Sequence, residues 1–397
     1  MKAVAIICEY NPLTNGHLEH LKRAREETKA DTVFCVMSGS FTQRGEAAIA
    51  DKYIRASIAV RLGCDMVAEL PTVFALSPAD NFAFGAMKII SRLPDVKYLS
   101  FGSECGDTQK LEKMARLLLN EPEQIKEKIS LYLSQGDSFP KARAKAVNEF
   151  VRQYSNYRQL EGLLDQPNNI LGIAYIMAAK RLKMKIKFHT IKRMGGGFND
   201  ASVDSDYPSA SAIRSCLRQG KIEELKNFVP PFTYNLLEEY KSIGTSLGDM
   251  ALYRMKEISP QKLEKLYDVS GGLHNRLKIA ADASNTYEQF LENAKTKKYT
   301  MAKIKRISLY ALLGITKELY ELASSSEPYV FILALNKDRK DILSKLSDTS
   351  KNTLVRYSDI DKVEKSLRPL IKLDFKAQGI LGIINRDQKL QRTMLLI

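Results

Sequence analysis

Short apolar runs alternate with amphipathic helical patterns over residues 1–105, and this alternation restricts the fold more than any other feature of the chain. The β-rich runs are KAVAIICE, DTVFCVMS, DMVAELP and VKYLSFGS. Helical periodicity fills residues 16–29, 51–62 and 79–92 between them. Because strands that are separated by helices pair in parallel, the pattern predicts an α/β fold with a parallel sheet and helices on its faces.

A charged helical stretch over about residues 107–165 interrupts this alternation, and we expect it to be a helical insertion. The alternation then returns with a helix in NNILGIAYIMAAKRLK and a strand in KIKFHTIKR. In YPSASAIRSCLRQGK, Ser209 or Ser211 is placed to cap a helix that begins near Ala212. These elements therefore extend the predicted sheet domain to about residue 225.

Two prolines in NFVPPFTY break the helical pattern and indicate a domain boundary near residue 230. We therefore expect residues 1–228 to form a first domain and residues 229–397 a second, mainly α-helical one. Within the second domain, EPYVFILALNKDRKDIL predicts one further strand and helix.

The composition excludes several protein classes. No apolar stretch approaches the roughly 20 residues that a helix needs to cross a bilayer, and the N-terminus resembles a strand rather than a signal peptide. A cytoplasmic protein without a membrane partner is therefore expected. The five cysteines are odd in number and never form a CxxC pair, so they indicate buried thiols rather than disulfides or a zinc site.

The formal net charge of +15 favours a polyanionic partner, since such a field steers a protein toward nucleic acid or an anionic surface. Solubility alone is the alternative explanation. No sequence feature indicates a stable protein partner.

The stretch EYNPLTNGHLEH, residues 9–20, follows the first predicted strand, where parallel sheets bind their ligands. Asn11-Pro12 can form a turn, Gly16 lets a ligand approach the backbone, and a helix beginning near Asn15 offers free N–H groups to an anion. His17 and His20 fall on one side of that helix. A phosphate there would meet backbone donors and an imidazole together.

Thr14-Asn15-Gly16-His17 resembles the (H/T)xGH signature of the nucleotidyltransferase superfamily. The alternative for His17 is a role in capping or packing only. SGSFTQRGE, FGSE, IKRMGGG and SASAIR then follow in the order that the superfamily requires. SASAIR resembles its second phosphate signature, in which Ser209, Ser211 and Arg214 would supply hydroxyl donors and a cation for a triphosphate.

Adenylyl transfer depends on alignment at the α-phosphate and on cations that stabilise the departing pyrophosphate. His17, Arg193 and Arg214 are the candidates for this charge stabilisation, and His20 is a candidate for orienting or contacting a phosphate. Mg²⁺ bridging the phosphates is expected, although no cluster of carboxylates identifies its ligands.

Over its whole length the sequence resembles the bacterial tRNA(Met) cytidine acetate ligase family. The resemblance rests on EYNPLTNGHLEHL, VMSGSFTQRGE, FGSE, PNNILGIAY, TIKRMGGGFND, SASAIR and KKYTMAKIKR. It implies a Rossmann-like nucleotidyltransferase domain followed by a mainly helical domain. It also implies ATP-dependent activation of acetate as acetyl-adenylate, and transfer of the acetyl group to the exocyclic amine of the wobble cytidine in elongator tRNA(Met).

The resemblance also implies the residues of the ATP site. Most relatives have a histidine where this chain has Thr14, and GGGFND replaces a more usual tyrosine-histidine after the glycines. Gln43 and Arg44 would shape the pocket near the phosphates and acetate, or be structural. The implied ATP-binding residues are Ile7, Cys8, Glu9, Tyr10, Asn11, Pro12, Leu13, Thr14, Asn15, Gly16, His17, Leu18, Glu19, His20, Gly102, Asn168, Asn169, Arg193 and Ser211.

Residues 295–306, KTKKYTMAKIKR, contain six Lys or Arg residues and no acid. If one face of this predicted helix packs on the core, the basic residues can project toward a phosphate backbone. An ordinary solvated helix face is the alternative. The candidate tRNA-binding residues are Lys298, Lys303, Lys305 and Arg306.

Two other functions remain open at the level of the sequence. A small-metabolite adenylyltransferase would turn over without RNA, although the chain continues well beyond the residue, near 220, at which such enzymes end. A non-catalytic RNA-binding protein with a decayed nucleotide site is the other alternative, and only Thr14 and the GGGFND segment support it.

Overall fold

The computed structural model describes residues 1–193, 207–239, 246–386 and 390–397, and the MGGGFND motif lies outside the described residues. The strands are β1 (Ala3–Cys8), β2 (Thr32–Ser38), β3 (Met66–Leu70), β4 (Val96–Ser103), β5 (Lys187–Lys192), β6 (Val330–Leu335), β7 (Thr353–Leu354) and β8 (Leu395–Leu396).

The helices before residue 220 are α1 (Asn15–Thr28), α2 (Lys52–Arg61), α3 (Thr72–Ala75), α4 (Ala79–Ile90), α5 (Thr108–Leu119), α6 (Glu123–Ser134), α7 (Phe139–Gln153), α8 (Pro167–Arg181) and α9 (Ala210–Arg218). The later helices are α10 (Pro231–Glu239), α11 (Ser246–Glu257), α12 (Pro260–Glu264), α13 (Leu273–Asp282), α14 (Tyr287–Ala294), α15 (Met301–Leu313), α16 (Lys317–Ser325), α17 (Asp341–Thr349) and α18 (Arg368–Asn385).

The central sheet has the strand order β5-β4-β1-β2-β3-β6-β7, and β8 pairs with β6. Strands β1 to β5 are mutually parallel, as the alternating pattern predicts. All residues of β2 and β3 are buried, which explains their continuous apolar runs. The predicted α/β class with a parallel sheet and a largely helical C-terminal half is confirmed.

The sheet does not follow the predicted domain division, because β6, β7 and β8 all come from residues 229–397. Strand β6, expected within a separate second domain, pairs antiparallel with β3, and Met66 lies opposite Leu335. Part of residues 229–397 therefore completes the sheet of the first domain. The physical reason is that all six residues of β6 are buried, and an apolar strand of this kind needs a partner on the sheet.

One buried arginine holds the loops that follow β1 and β2. The Arg55 guanidinium donates hydrogen bonds to the carbonyl oxygens of Glu9 (2.6 Å), Ser38 (3.2 Å) and Ala50 (3.1 Å), and also to that of Gly39. Because these carbonyls belong to the last residue of β2 and to the loops that follow β1 and β2, the contacts fix the loop positions at the carboxyl edge of the sheet.

Candidate active site

Two adjoining clefts, with about 690 and 1180 Å³ of free space, open at the carboxyl edge of the sheet beside the N-termini of α1 and α9. This is the edge at which parallel sheets bind ligands. The residues common to both clefts are His17, His20, Gly102, Arg193, Ser209 and Ala210.

The clefts gather most of the candidate nucleotide-site residues. The candidates that line at least one cleft are Ile7, Cys8, Glu9, Tyr10, Asn11, Thr14, Gly16, His17, Glu19, His20, Gln43, Arg44, Gly102, Asn168, Arg193, Ser209, Ser211 and Arg214. The candidates outside both linings are Pro12, Leu13, Asn15, Leu18 and Asn169. Leu13 belongs to the hydrophobic core, and the Asn15 side chain donates to the carbonyl of Asn227.

Sequence reasoning missed several lining residues. Tyr207 stands two residues before the SASAIR motif, and Tyr175 lies on α8. Tyr207 lies close to a motif and Tyr175 ends the PNNILGIAY motif, but apolar and aromatic residues of these elements also fit a core position. The other missed residues are Ile6, Arg23, Phe82, Phe101, Leu171, Ile191, Lys192 and Pro208.

His17 is held by the residue that precedes α1. Its Nδ1 accepts a hydrogen bond from the backbone N–H of Thr14 at 3.0 Å and lies 3.2 Å from the Thr14 hydroxyl. Burial, the Arg193 cation and His20 lower the pKa of His17 to about 3. The ring is therefore neutral near pH 7 and carries its proton on Nε2, so that it is a hydrogen-bond donor and not a cation.

His20 lies one turn further along α1. Its Nε2 is 2.9 Å from the Ser100 hydroxyl on β4. Burial, His189 and Arg193 lower the pKa of His20 to about 4, so this ring is also neutral near pH 7. Among the described residues its Nδ1 makes no hydrogen bond, and the side chain lines both clefts.

Arg214 joins α9 to the loop after β1. One guanidinium nitrogen donates to the carbonyl of Asn11 at 2.6 Å, and the other lies 3.2 Å from the Glu46 carboxylate. The side chain is 14% exposed and lines the larger cleft. It presents a fixed, partly neutralised cation to whatever occupies the cleft.

The start of α9 is a capped helix N-terminus. The Ser209 hydroxyl accepts from the backbone N–H of Ala212 at 3.1 Å, which confirms Ser209 as the cap, and the Ser211 hydroxyl lies 2.9 Å from it. A helix N-terminus carries a partial positive charge. The N-termini of α1 and α9 thus place two partial positive charges at the clefts, which favours an anionic ligand.

Glu9 places a carboxylate in the same cleft. Its Oε1 accepts the backbone N–H of Gln43 at 2.7 Å. Burial raises the pKa of Glu9, while the Gln43 N–H and the Arg214 cation oppose that rise. The carbonyl of Gln43 in turn accepts from Arg306 at 3.3 Å, so the backbone of one residue joins the cleft to α15.

The predicted Asn pair at the start of α8 serves mainly to bind the loop after β4. The Asn169 Oδ1 accepts the backbone N–H groups of Glu104 and Cys105, each at 3.1 Å. The Glu104 carboxylate in turn accepts hydrogen bonds from the backbone N–H groups of Asn168 at 3.0 Å and Asn169 at 2.7 Å. Only Asn168 of the pair lines a cleft.

Gly102 and Arg193 meet across strands β4 and β5. A Cβ at position 102 would lie 3.2 Å from the Arg193 Cγ, and the Arg193 backbone N–H donates to the Ser103 carbonyl at 2.9 Å. A side chain at 102 would therefore crowd the arginine. Both residues line both clefts.

The SGSFTQRGE segment lies between the cleft and α15. The Glu46 carboxylate is 3.0 Å from the Lys305 ammonium and 3.2 Å from Arg214. Gly45, at φ +77°, packs so closely that an added Cβ would lie 2.8 Å from the Arg306 backbone nitrogen. The loop therefore links the candidate active site to the basic helix.

The structure corrects the expectation that the basic residues of α15 project freely. Arg306 is 7% exposed and lies under the Gln43 carbonyl, so it cannot reach a phosphate backbone in this conformation. Lys303 pairs with Asp268 at 2.7 Å, and Lys305 pairs with Glu46. Lys298 alone of the four candidates is exposed. The cause is the packing of α15 against the loops around it.

A second basic cluster joins the segment before α15 to α7. Lys297, Lys141 and Lys145 lie 3.5, 3.2 and 2.7 Å from the carboxylate of Asp137, whose side chain is 1% exposed. The three lysines are 62%, 54% and 43% exposed. Since one carboxylate balances one of three ammonium groups, the cluster, here named the Asp137 lysine cluster, has a net charge of about +2.

Within the described ranges, no group of three or more His, Cys, Asp or Glu residues is arranged to hold a metal ion. In the same part of the chain, none of the helices is long and apolar enough to cross a membrane.

Comparison with known families gives a match over almost the whole chain. The model of the HIGH Nucleotidyl Transferase family matches residues 1–394. The tRNA(Met) cytidine acetate ligase of Clostridium perfringens is 36% identical over 402 residues, which cover 100% of this chain and 98% of that protein. The enzyme of the same name from Halothermothrix orenii is 36% identical over 368 residues, covering 90% of this chain and 87% of that protein.

Solved structures agree with the sequence matches. A crystal structure of apo Thermotoga maritima TmcAL superimposes with a TM-score of 0.92 at 34% identity, covering 100% of both chains. A second crystal structure of that protein, bound with alpha-thio ATP, superimposes with a TM-score of 0.90 at 32% identity, again over 100% of both chains.

Proposed function

Because the chain belongs to the tRNA(Met) cytidine acetate ligase family of HIGH nucleotidyltransferases, we propose that it activates acetate with ATP and acetylates the wobble cytidine of elongator tRNA(Met). The main support for a nucleotide site is that one cleft lies beside the N-termini of both α1 and α9. The same cleft is lined by His17, Arg193 and Arg214. Helix N-termini, cations and a neutral imidazole donor are together suited to a triphosphate.

In the first step an oxygen of acetate attacks the α-phosphorus of ATP, the bond to the bridging oxygen of pyrophosphate breaks, and acetyl-adenylate forms. Acetate is already anionic near pH 7, so this step needs no general base. His17 donates its Nε2–H to a phosphate oxygen, while Arg193 and Arg214 stabilise the charge that develops on pyrophosphate.

In the second step the exocyclic amine of cytidine attacks the acetyl carbon. The carbon–oxygen bond to AMP breaks, and the nitrogen loses one proton to water. Product release then frees AMP and N4-acetylcytidine in the tRNA. The protein's contribution to both steps is alignment and charge stabilisation.

Mg²⁺ enters this proposal with the nucleotide. It prefers phosphate oxygens and water, with few protein carboxylates, and this agrees with the lack of a carboxylate cluster among the described residues. No step above depends on a protein-held metal ion.

For the tRNA we propose a surface made of Lys298 and the Asp137 lysine cluster. Their exposed ammonium groups can neutralise backbone phosphates, whereas Arg306 is buried. Lys303 and Lys305 could join only by leaving their carboxylate partners. The basic surface thus extends from the segment before α15 onto α7, part of the predicted insertion.

ATP–pyrophosphate exchange tests the proposed reaction. Exchange should require acetate, and tRNA should not be needed for it. Pantetheine phosphate or nicotinamide mononucleotide should not support exchange. Exchange driven by either metabolite would instead assign the chain to the small-metabolite adenylyltransferases, and a folded protein without any exchange would leave a non-catalytic RNA-binding role.

A further inference from the structure

A continuous chain of hydrogen-bonding groups connects His20 in the cleft with solvent. The His20 Nε2 is 2.9 Å from the Ser100 hydroxyl, which is 3.0 Å from the His189 Nδ1. The His189 Nε2 is 2.8 Å from the Glu27 carboxylate. The Ser100 side chain is fully buried, and Glu27 at the far end is 41% exposed.

Three elements, β4, β5 and α1, supply the residues of this hydrogen-bond chain. Ser100 and His189 lie directly opposite one another in the β4–β5 register, which puts their side chains on one face of the sheet. His20 and Glu27 are seven residues apart on α1, two helical turns along one face. The sheet residues thus connect two sites on the helix that are about 10.5 Å apart.

The direction of these hydrogen bonds depends on whether His189 carries one proton or two. With a neutral His189, Glu27 accepts the Nε2–H of that ring, and its bare Nδ1 accepts the Ser100 hydroxyl proton. Ser100 then accepts the Nε2–H of His20. In this state the His20 Nδ1 presents a lone pair, which repels a phosphate oxygen.

A second state follows when one proton is taken up. The His20 Nδ1 gains a proton, its Nε2 passes a proton to Ser100, and the Ser100 hydroxyl passes its own proton to the His189 Nδ1. His189 becomes a cation beside the Glu27 carboxylate, and His20 stays neutral. The His20 Nδ1–H now donates toward the cleft.

We propose that Ser100, His189 and Glu27 are positioning residues that set the tautomer of His20, so that nucleotide binding takes up one proton at His189. This inference rests on the proposed nucleotide site. A phosphate favours the donor state because an N–H is attracted to an anionic oxygen and a lone pair is not. Among the described residues, the other charged or titratable groups near this hydrogen-bond chain are Arg23 on α1, which pairs with Glu27, Arg193 after β5, and His17.

Histidine-selective ¹⁵N NMR tests the tautomers directly, because the chain has only 4 histidines to assign. In the nucleotide-free protein the His20 proton should lie on Nε2. Saturation with ATP, without acetate, should move it to Nδ1 and make His189 doubly protonated. A His20 that keeps its proton on Nε2 in the saturated complex would overturn the relay.

The pH dependence of ATP affinity is the second readout. Uptake of one proton on binding makes the affinity fall as the pH rises, by up to tenfold per pH unit. ATP itself also titrates, and this contributes equally in every protein. The pH dependence of wild-type affinity is therefore compared with that of His189→Gln and Glu27→Gln. The slope of log ATP affinity against pH should be reduced in both variants. Equal slopes in the wild-type protein and the two variants would contradict the proposal.

Glu26→Gln is the matched control, because Glu26 is exposed on the same helix and makes no ion pair among the described residues. It removes the same charge and should keep the wild-type slope. The outcomes also separate the two proposals. If ATP leaves the His17 and His20 signals unchanged, the nucleotide site itself is wrong; if His17 shifts and His189 does not, only the relay is wrong.

Discussion

The Nδ1 atom of His17 accepts the backbone N–H of Thr14 at 3.0 Å, and this contact fixes the tautomer of the signature histidine. The proton then lies on Nε2, which makes no hydrogen bond within the part of the chain that the structure describes. The geometry is local to the first turn of α1, so it is formed by the motif itself and does not require a distant partner.

His17→Ala should lower acetate-dependent pyrophosphate exchange by about 10²–10³-fold. The lost donor acts on charge that develops in the transition state, a contribution of about 2–4 kcal/mol. His17→Gln keeps an amide donor and should retain part of the activity. Steady-state exchange with saturating ATP and acetate measures both variants, and an unchanged rate in folded His17→Ala protein would remove His17 from the mechanism.

The two cleft histidines should make the nucleotide-free protein sensitive to acid. Their pKa values are about 3 and about 4 in the folded protein and about 6.5 in the unfolded chain, so the unfolded state binds more protons below pH 6.5. Their contribution to stability is complete above pH 6.5 and is lost as the pH falls toward 4. Each adds a slope of up to about 1.4 kcal/mol per pH unit to the free energy of unfolding. Urea unfolding of His20→Gln between pH 6.5 and 4 should show a shallower slope than wild type.

Arg214→Lys should reduce exchange even though it keeps the positive charge. The guanidinium bonds to the Asn11 carbonyl and the Glu46 carboxylate at once, and an ammonium group cannot match that planar geometry. We expect a loss of about tenfold or more, mainly in the rate at saturating ATP. Full activity in the lysine variant would mean that only the charge matters, and Arg214→Ala would then measure the value of that charge.

Gly45→Ala tests the contact between the SGSFTQRGE loop and α15. The new Cβ would lie 2.8 Å from the Arg306 backbone nitrogen, and the alanine would have to keep φ at +77°. The matched control is Gly220→Ala, which has φ +76° but open space around its Cβ. The strain of about 1–2 kcal/mol is common to both, and the clash adds about 1–3 kcal/mol at position 45 alone. Equal losses in urea unfolding would show that the loop can move away from α15 at little cost.

Lys297→Ala/Lys298→Ala should weaken tRNA binding and leave exchange near the wild-type rate. Each phosphate contact releases about 0.9 counterion, so the slope of log affinity against log salt should fall by about 1–2. Lys183→Ala/Lys185→Ala is the control, because these exposed residues precede β5 at the opposite edge of the sheet from the clefts. A salt slope that changes equally in both double variants would reject the proposed surface.

Local patterns in the sequence predicted the framework and the position of the site. The alternation of apolar runs and helical periodicity predicted β1 to β5 and the helices between them, and the glycine, proline and serine signals predicted where α1 and α9 begin. These features depend on neighbouring residues, so a sequence displays them directly. The position of the cleft followed, because parallel strands bring their carboxyl ends to one edge.

Contacts between distant segments were decided only by the tertiary structure. Whether Arg306 reaches solvent depends on the loop of Gln43, and whether Asn169 is free depends on the backbone of Glu104. The Ser100–His189 pair exists because β4 and β5 adopt one register, and β6 joins the sheet beside β3. A sequence shows which side chains lie on one face of an element, but which groups meet that face is set by packing between elements far apart in the chain.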